Sequence, residues 1–157
     1  MKKMIIISAL ALIVAACGNQ NGTPATSSAE VKTDASSTDV SSYDPKRGEG
    51  KFTKVEVSTN LDVAKAEEGS KVYNVKCGAC HKLTTEKLVG PGWKGVTKKL
   101  TAEWIMNFAT NTDAMLNKDP EAKAQLEICL VRMPNQNLSD TDARNIYEFM
   151  RKNDGIK

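Results

Sequence analysis

Apolar side chains recur at helical spacing along the second half of the chain. The clearest case follows Ser139, where Ala143, Ile146, Tyr147 and Met150 fall at positions i, i+3, i+4 and i+7. This is the pattern of one face of an amphipathic α-helix. Ser139 with an aspartate three residues later is close to a capping box, so we predict a helix that begins at Ser139 and ends before the Asn-Asp-Gly that follows.

Three earlier stretches have the same helical character. Asp62 and Asp119 are suited to cap helices, and Pro120 fits a first helical turn. Gly69 falls in the middle of the first predicted helix, where it costs about 1 kcal/mol relative to alanine unless a partner helix packs closely against it. The predicted bounds of these three helices are about 62–77, 101–110 and 120–130.

Glycine and proline mark the connections between these helices. Gly90, Pro91, Gly92 and Gly95 exclude a regular helix after the first one. Residues 133–137 have the composition of another loop. The pattern as a whole therefore predicts an all-α domain.

The segment before this domain is polar and repetitive. Residues 18–42 are rich in Ser, Thr, Ala, Asn and Asp and contain almost no large apolar side chain. Such a segment buries too little surface to offset the entropy of ordering it, so we expect it to be disordered. In the stretch that follows, Phe52, Val55 and Val57 indicate either a short strand or an arm packed on the domain.

The beginning of the chain has the features of an export signal. Two lysines precede an apolar run that ends at Cys17, and this run is too short to cross a membrane as a helix. The residues Val-Ala-Ala-Cys that end with Cys17 resemble the lipobox of bacterial lipoproteins, which implies cleavage before the cysteine and acylation of it. The alternative is an ordinary signal peptide cut near Ala16. An unpaired exported thiol would be a liability, which favours lipidation.

These observations divide the chain into three parts. We predict a lipoprotein signal peptide over 1–16, a lipid-anchored flexible tether over 17–60, and one folded domain over 61–157. The signal places the mature protein on the periplasmic side of a bacterial membrane. Lys and Arg number 22 and Asp and Glu 19, and this near balance gives no support to nucleic acid as a partner.

The candidate chemistry lies at the end of the first predicted helix. Cys77, Cys80 and His81 form a C-x-x-C-H run, which is the attachment signature of c-type haem. Two thiols three positions apart can each add to a vinyl group of one porphyrin, and the adjacent imidazole can then reach the iron. A thioredoxin-like redox pair would require a βαβ context, and a zinc site would require a second pair of ligands. The sequence supplies neither.

The sequence limits the residues that could bind the iron opposite His81. His81 is the only histidine in the chain, so a second histidine from this protein cannot bind the iron. The sixth ligand must be methionine, a weaker group, water or nothing. With Cys17 assigned to lipid and the motif cysteines to haem, Cys129 is left over, and we interpret it as a small buried hydrophobic residue.

Taken together, these residues resemble the class I, monohaem c-type cytochromes. The likeness covers most of residues 62–154 and includes Gly69 and Tyr73 ahead of the motif and Ile146 and Phe149 on the last helix. It implies a small helical domain wrapped around one covalent haem c. It also implies that the first and last helices cross, with Gly69 permitting close approach of the two backbones.

The resemblance also implies specific supporting residues. Pro91 is similar to the residue whose carbonyl accepts a hydrogen bond from the proximal histidine. Met133, which lies in a loop before a proline, is similar to the family's distal ligand. Met106 and Met150 fall inside predicted helices and are more often core residues, whereas Met115 is placed in a loop and remains a second candidate.

Two tryptophans and several lysines complete the predicted site. Trp93 and Trp104 either pack on the macrocycle or are plain core aromatics, and Trp104 resembles the family's residue near a haem propionate. A group of lysines around the motif is opposed only by Glu86 and could steer an acidic redox partner, although such lysines more often form a solvated face. The lysines are Lys76, Lys82, Lys87, Lys94, Lys98 and Lys99.

The resemblance implies an electron-transfer protein and not an enzyme. We expect a monomer that carries single electrons from a quinol-linked membrane donor to a terminal reductase or oxidase, with nitrous oxide reduction as one candidate pathway. The alternatives are a haem-based ligand sensor, a peroxidase-like enzyme, or a fixed cytochrome subunit of a respiratory complex. Peroxidase chemistry would require a distal acid–base group, and the one histidine is already the proximal ligand.

Overall fold

Helices make up most of the regular structure that this computed structural model describes, which covers residues 43–157. The predicted signal peptide, Cys17 and the tether up to residue 42 lie outside the described residues. No β-strand is present in the described part, and none of its helices has the length and apolar character needed to cross a membrane. The α-helices are α1 Val63–Val72, α2 Val96–Lys99, α3 Ala102–Thr110, α4 Thr112–Lys118, α5 Pro120–Cys129 and α6 Asp140–Asn153.

The first predicted helix exists, but its last turn is wider than an α-helix. The Asp62 side chain caps α1 by accepting a hydrogen bond from the Lys65 N–H. After Val72 the chain continues as a π-helix over Tyr73–Cys77. Single π-helical turns are rare in proteins, and those that occur are often found at functional sites. Here the turn delivers the chain directly into the Cys77–His81 motif.

Helices α1 and α6 cross at Gly69. A Cβ atom built on Gly69 would lie 2.0 Å from the backbone oxygen of Asn145 and 2.9 Å from the Cβ of Phe149. The two backbones are therefore in contact at a distance that only glycine allows. This confirms the close approach expected from the sequence. Helix α6 starts with the predicted capping box between Ser139 and Asp142.

Two short helices were not anticipated. Helix α2 follows the glycine-rich loop, and α4 follows α3 after a single junction residue, Asn111. The placement of Met115 in a loop is wrong, since it lies within α4 and its side chain is fully buried. Its sulfur accepts a hydrogen bond from the backbone N–H of Glu49, with 2.9 Å between the nitrogen and the sulfur.

A buried ion cluster fixes α6 to the segment before α1. Glu148 is fully buried and bonds Arg144 at 2.6 Å and Arg151 at 2.8 Å. The Arg151 guanidinium also donates to the backbone oxygens of Ser58 and Thr59. The buried Glu148 carboxylate is paired with both arginines, so removing one of these partners would leave buried charge uncompensated.

Residues 43–60, which we call the arm, lie against the helices and contain no strand. The Phe52 N–H donates to the side-chain oxygen of Asn107 at 2.9 Å, and the Val55 N–H donates to Glu103 at 2.7 Å. Of the two alternatives for this segment, the packed arm is therefore confirmed and the strand is wrong. The predicted tether extends too far, because residues 43–60 are held by the domain.

Candidate cofactor site

A cavity of about 380 Å³ lies between the motif, α3, α5 and the loop before α6. This volume is within the usual range for a small-molecule site. All of the predicted site residues in the described part of the chain line it: Cys77, Cys80, His81, Pro91, Trp93, Trp104 and Met133. The fold thus brings Cys77 and Met133 to one cavity, although they are 56 positions apart in the sequence.

The two motif cysteines face this cavity from the end of the π-helical turn. The backbone N–H groups of Cys80 and His81 both donate to the oxygen of Cys77 at 3.0 Å, which holds the motif in a tight turn. Cys77 is buried and Cys80 is half-buried. Burial raises the pKa of the Cys77 thiol to about 11, so it stays protonated at neutral pH until it reacts.

His81 is held in one orientation and in one tautomer. Its Nδ1 donates to the carbonyl oxygen of Pro91 at 2.8 Å. Burial lowers the pKa of His81, while the bond to Pro91 opposes that shift. A neutral ring with its proton on Nδ1 leaves the Nε2 lone pair available for a metal, as in metal-bound histidines generally. A Cβ at Gly90 would lie 2.4 Å from the ring, so only glycine fits beside it.

Aromatic side chains support the histidine from behind. The Tyr73 hydroxyl donates to the backbone oxygen of His81 at 2.6 Å. The ring of Trp93 lies 5.0 Å from that of Tyr73 and 5.4 Å from that of His81. The hydroxyl contact of Tyr73 was not anticipated. The sequence does contain one indication of this contact, because the aromatic residue of the first helix is a tyrosine, which has a hydroxyl, and not a phenylalanine.

Trp104 carries an unsatisfied polar atom in the cavity wall. Its side chain is 3 % exposed, and its Nε1 has no hydrogen-bond partner. A buried donor without a partner costs about 1–3 kcal/mol. An acidic group on the occupant of the cavity would supply that partner. Together with the thiols and the oriented imidazole, this donor fits a haem with its carboxylate side chains.

Only some of the candidate methionines line the cavity. Met133 and Met150 line it, whereas Met115 does not. The second candidate ligand therefore changes from Met115 to Met150, whose side chain packs from α6 and is 6 % exposed. Met133 is half-buried in an extended loop, and its neighbours Val131 and Pro134 also line the cavity.

Most lysines around the motif have partners. Lys76 donates to the backbone oxygen of Gln136 at 2.8 Å, and Lys87 donates to that of Ile128 at 3.1 Å. Lys82 pairs with Glu86 at 2.9 Å. The bonds from Lys76 and Lys87 to carbonyl oxygens connect the motif segment to the end of α5 and to the loop before α6.

Cys129 is not the buried residue that the sequence predicts. It is half-buried at the end of α5 and lines the cavity. The following residue, Leu130, adopts a left-handed conformation with φ of 59° and ends the helix. The reversal at Leu130 directs the chain into the loop that carries Met133.

A Trp104→Phe substitution tests whether the occupant satisfies the orphaned N–H. The Trp104 N–H would donate to a carboxylate of the haem. Loss of this hydrogen bond should destabilise the haem-containing protein by about 1.5–3 kcal/mol, the range for hydrogen bonds to charged groups. Chemical denaturation of the holoprotein measures this, and Trp93→Phe in the same cavity controls for lost ring volume. A Trp104 variant no less stable than the Trp93 variant would mean that the N–H stays unpaired.

The chain is similar to known proteins in both sequence and structure. A family model described as cytochrome c matches residues 66–154. A solved cytochrome c from Rhodothermus marinus is 31% identical, with 67% of this chain and 90% of that chain covered and a TM-score of 0.65. An engineered cytochrome c from the same organism, bound to a carbene intermediate, is 30% identical, with 71% and 98% covered and a TM-score of 0.64. No curated protein matches.

Proposed function

Because the chain belongs to the cytochrome c family, whose members bind covalent haem c, we propose that it carries single electrons from a membrane-bound donor to a terminal reductase or oxidase. The haem supplies an iron that takes up and releases one electron. In this proposal Cys77 and Cys80 attach it through thioether bonds. His81 and Met133 would supply the protein ligands to its iron.

The observation that carries this proposal is that a histidine and a loop methionine line the same cavity. Two protein ligands leave no coordination position for a substrate. The bond from His81 to Pro91 and the packing of Trp93 near the ring hold the imidazole in one orientation. A site of this kind favours electron transfer over ligand chemistry.

Carbon monoxide binding separates the carrier from the rival functions. For a carrier, redox titration of the purified holoprotein should show one reversible one-electron step, and the reduced protein should not bind carbon monoxide. The engineered relative bound to a carbene intermediate gives one reason to test for reactivity at the iron. Ready binding of carbon monoxide by the wild-type protein would contradict the carrier and favour a ligand sensor or an enzyme.

The charge around the cavity supports a partner with an acidic docking face. Lys76, Lys87, Lys94 and Lys98 are exposed and lie on or next to segments that line the cavity. A cationic rim favours a donor or acceptor with an acidic docking face, and such attraction weakens as salt screens it. A nitrous oxide reductase is one acceptor of the terminal reductase class. A stable complex that survives detergent extraction would instead indicate a fixed subunit.

We propose that lipid on Cys17 holds the protein at the periplasmic side of the membrane. A Cys17→Ser substitution should move nearly all of the protein from the membrane fraction to the soluble fraction, because a single protein–lipid linkage carries the attachment. Immunoblotting of the two fractions and metabolic labelling with a fatty acid measure this, with Cys129→Ser as the matched control. A Cys17 variant that remains labelled and membrane-bound would contradict the anchor.

A further inference from the structure

The arm is bound by a row of side chains at every fourth position. Glu103, Asn107, Asn111, Met115 and Asp119 follow one another along α3, α4 and the start of α5, and each bonds the arm. Residues four apart lie on one face of a helix. The helix is interrupted at Asn111, but the hydrogen bonds to the arm continue across this junction, so the row forms a continuous track along which the arm runs.

The track recognises mainly the backbone of the arm. The Asn107 side chain accepts from the Phe52 N–H and donates to the Arg47 and Phe52 oxygens at 3.0 and 2.9 Å. Asn111 donates to the oxygen of Glu49 at 3.1 Å, and Met115 accepts from the N–H of the same residue. Asn107 is fully buried, so its amide depends on the arm for every bond that it makes.

The two ends of the arm are fixed in the same way. At one end the Tyr43 hydroxyl donates to the buried carboxylate of Asp119. Burial, together with Asp119, raises the pKa of Tyr43 above its ordinary range, so the hydroxyl keeps its proton. At the other end the Val55 N–H donates to Glu103 at 2.7 Å.

The residues next to the track form the wall of the cavity. Trp104 follows Glu103, Phe108 follows Asn107 and Leu116 follows Met115, and all three line the cavity. The rings of Trp104 and Phe108 are stacked with 5.1 Å between their centroids. One side of α3 and α4 thus holds the arm, and an adjacent side of the same helices faces the cavity.

We propose that the arm is a clamp that keeps the α3–α4 wall closed over the haem, with Asn107 as its central positioning residue. The inference rests on the haem of the proposed function. A loosened wall admits water to the cavity, which stabilises the charged ferric form and lowers the reduction potential. Burial of the haem is one of the means by which a protein tunes that potential.

Gly50→Ala tests the clamp without replacing any residue that lines the cavity. A Cβ at this position would lie 2.3 Å from the side-chain oxygen of Asn107, so it pushes the arm off the track. In the full-length holoprotein we expect amide hydrogens of the arm to exchange about tenfold faster or more, as for loss of one or two hydrogen bonds. We also expect a lower reduction potential. The exposed Thr53 provides a control, since Thr53→Ala should change neither.

A second pair of variants acts from the helix side. Glu103→Leu removes the acceptor for the Val55 N–H, whereas Glu103→Gln retains it. The leucine variant should show faster arm exchange and a lower potential, and the glutamine variant should restore both toward wild-type values. A purely local role for Glu103 in stabilising α3 would leave the potential unchanged.

Two results would overturn the clamp. One is faster exchange of the arm in Gly50→Ala and Glu103→Leu with an unchanged potential. The other is unchanged arm exchange in both variants. Failure of the carrier proposal would look different, because the wild-type protein itself would then show an open iron site. The clamp is tested separately, by the difference in arm exchange and potential between each variant and the wild type.

Discussion

Replacing Met133 with leucine is expected to open the iron site and lower the reduction potential. Leucine keeps the size of the side chain but has no sulfur, so the iron loses a thioether that favours its ferrous form. Axial ligands shift haem potentials over a range of about 0.8 V, so we expect a fall on the order of 0.1 V or more. The ferric absorption spectrum should become high-spin, and the reduced variant should bind carbon monoxide.

Met150→Leu is the matched control, because Met150 lines the same cavity and the change again removes one sulfur at nearly constant volume. It should keep the low-spin spectrum and the wild-type potential. If Met150→Leu gives the open site and Met133→Leu does not, the distal ligand is on α6 and the assignment of Met133 is wrong. Absorption spectra of both oxidation states and voltammetry measure these outcomes.

Replacing Gly69 with valine is expected to cause the largest loss of stability. Valine avoids the entropic cost of glycine in a helix, which is worth about 1 kcal/mol relative to alanine. Its side chain would, however, overlap the backbone oxygen of Asn145 and force α1 and α6 apart. Overpacking costs about 1–3 kcal/mol and occasionally more, and an overlap with a backbone atom cannot be relieved by a side-chain rotation, so the steric term should dominate. Denaturant unfolding of the holoprotein measures the net change.

Glu67→Val places the same side chain on the exposed face of α1. Valine is a slightly poorer helix former than glutamate and meets no clash at this exposed position, so the unfolding free energy should stay within about 0.5 kcal/mol of wild type, as for surface substitutions generally. Equal stability of the Gly69 and Glu67 variants would show that the helices can separate at this point at no cost. The close crossing would then be unimportant for folding.

Local sequence signals were sufficient to predict the helices that begin with a capping residue and the crossing of α1 and α6. Helix α6 has both a periodic apolar face and a capping box, and the structure contains both. Gly69 was informative because a mid-helix glycine is unfavourable unless another backbone lies against it. The resemblance to monohaem cytochromes added the bond from His81 to Pro91, which no periodicity indicates.

Helix α4 could not be predicted from its own residues. It is short, it has few large apolar side chains, and it follows α3 with only Asn111 between them. The same limitation explains the error at Met115. Whether that residue faces the cavity or the arm depends on which side of α4 each element packs, and the sequence of α4 does not contain this information.

The buried polar side chains of the track were the least predictable feature. Asn107 sits in the middle of a helix, where asparagine normally faces solvent because it competes with the backbone for hydrogen bonds. Its partners lie in the arm more than 50 residues earlier in the chain. Only the folded structure brings these groups together, which is why the sequence placed residues 43–60 in the tether.

The central claim is that this cavity holds one haem linked covalently to Cys77 and Cys80. The most direct measurement is the haem content of the chain after complete unfolding, by absorbance and mass spectrometry, in protein expressed with haem-maturation machinery. We predict one haem per chain for the wild type and for Cys129→Ala, and none for the double variant Cys77→Ala/Cys80→Ala. A wild-type chain that releases its haem on unfolding, or a double variant that retains it, would contradict the account.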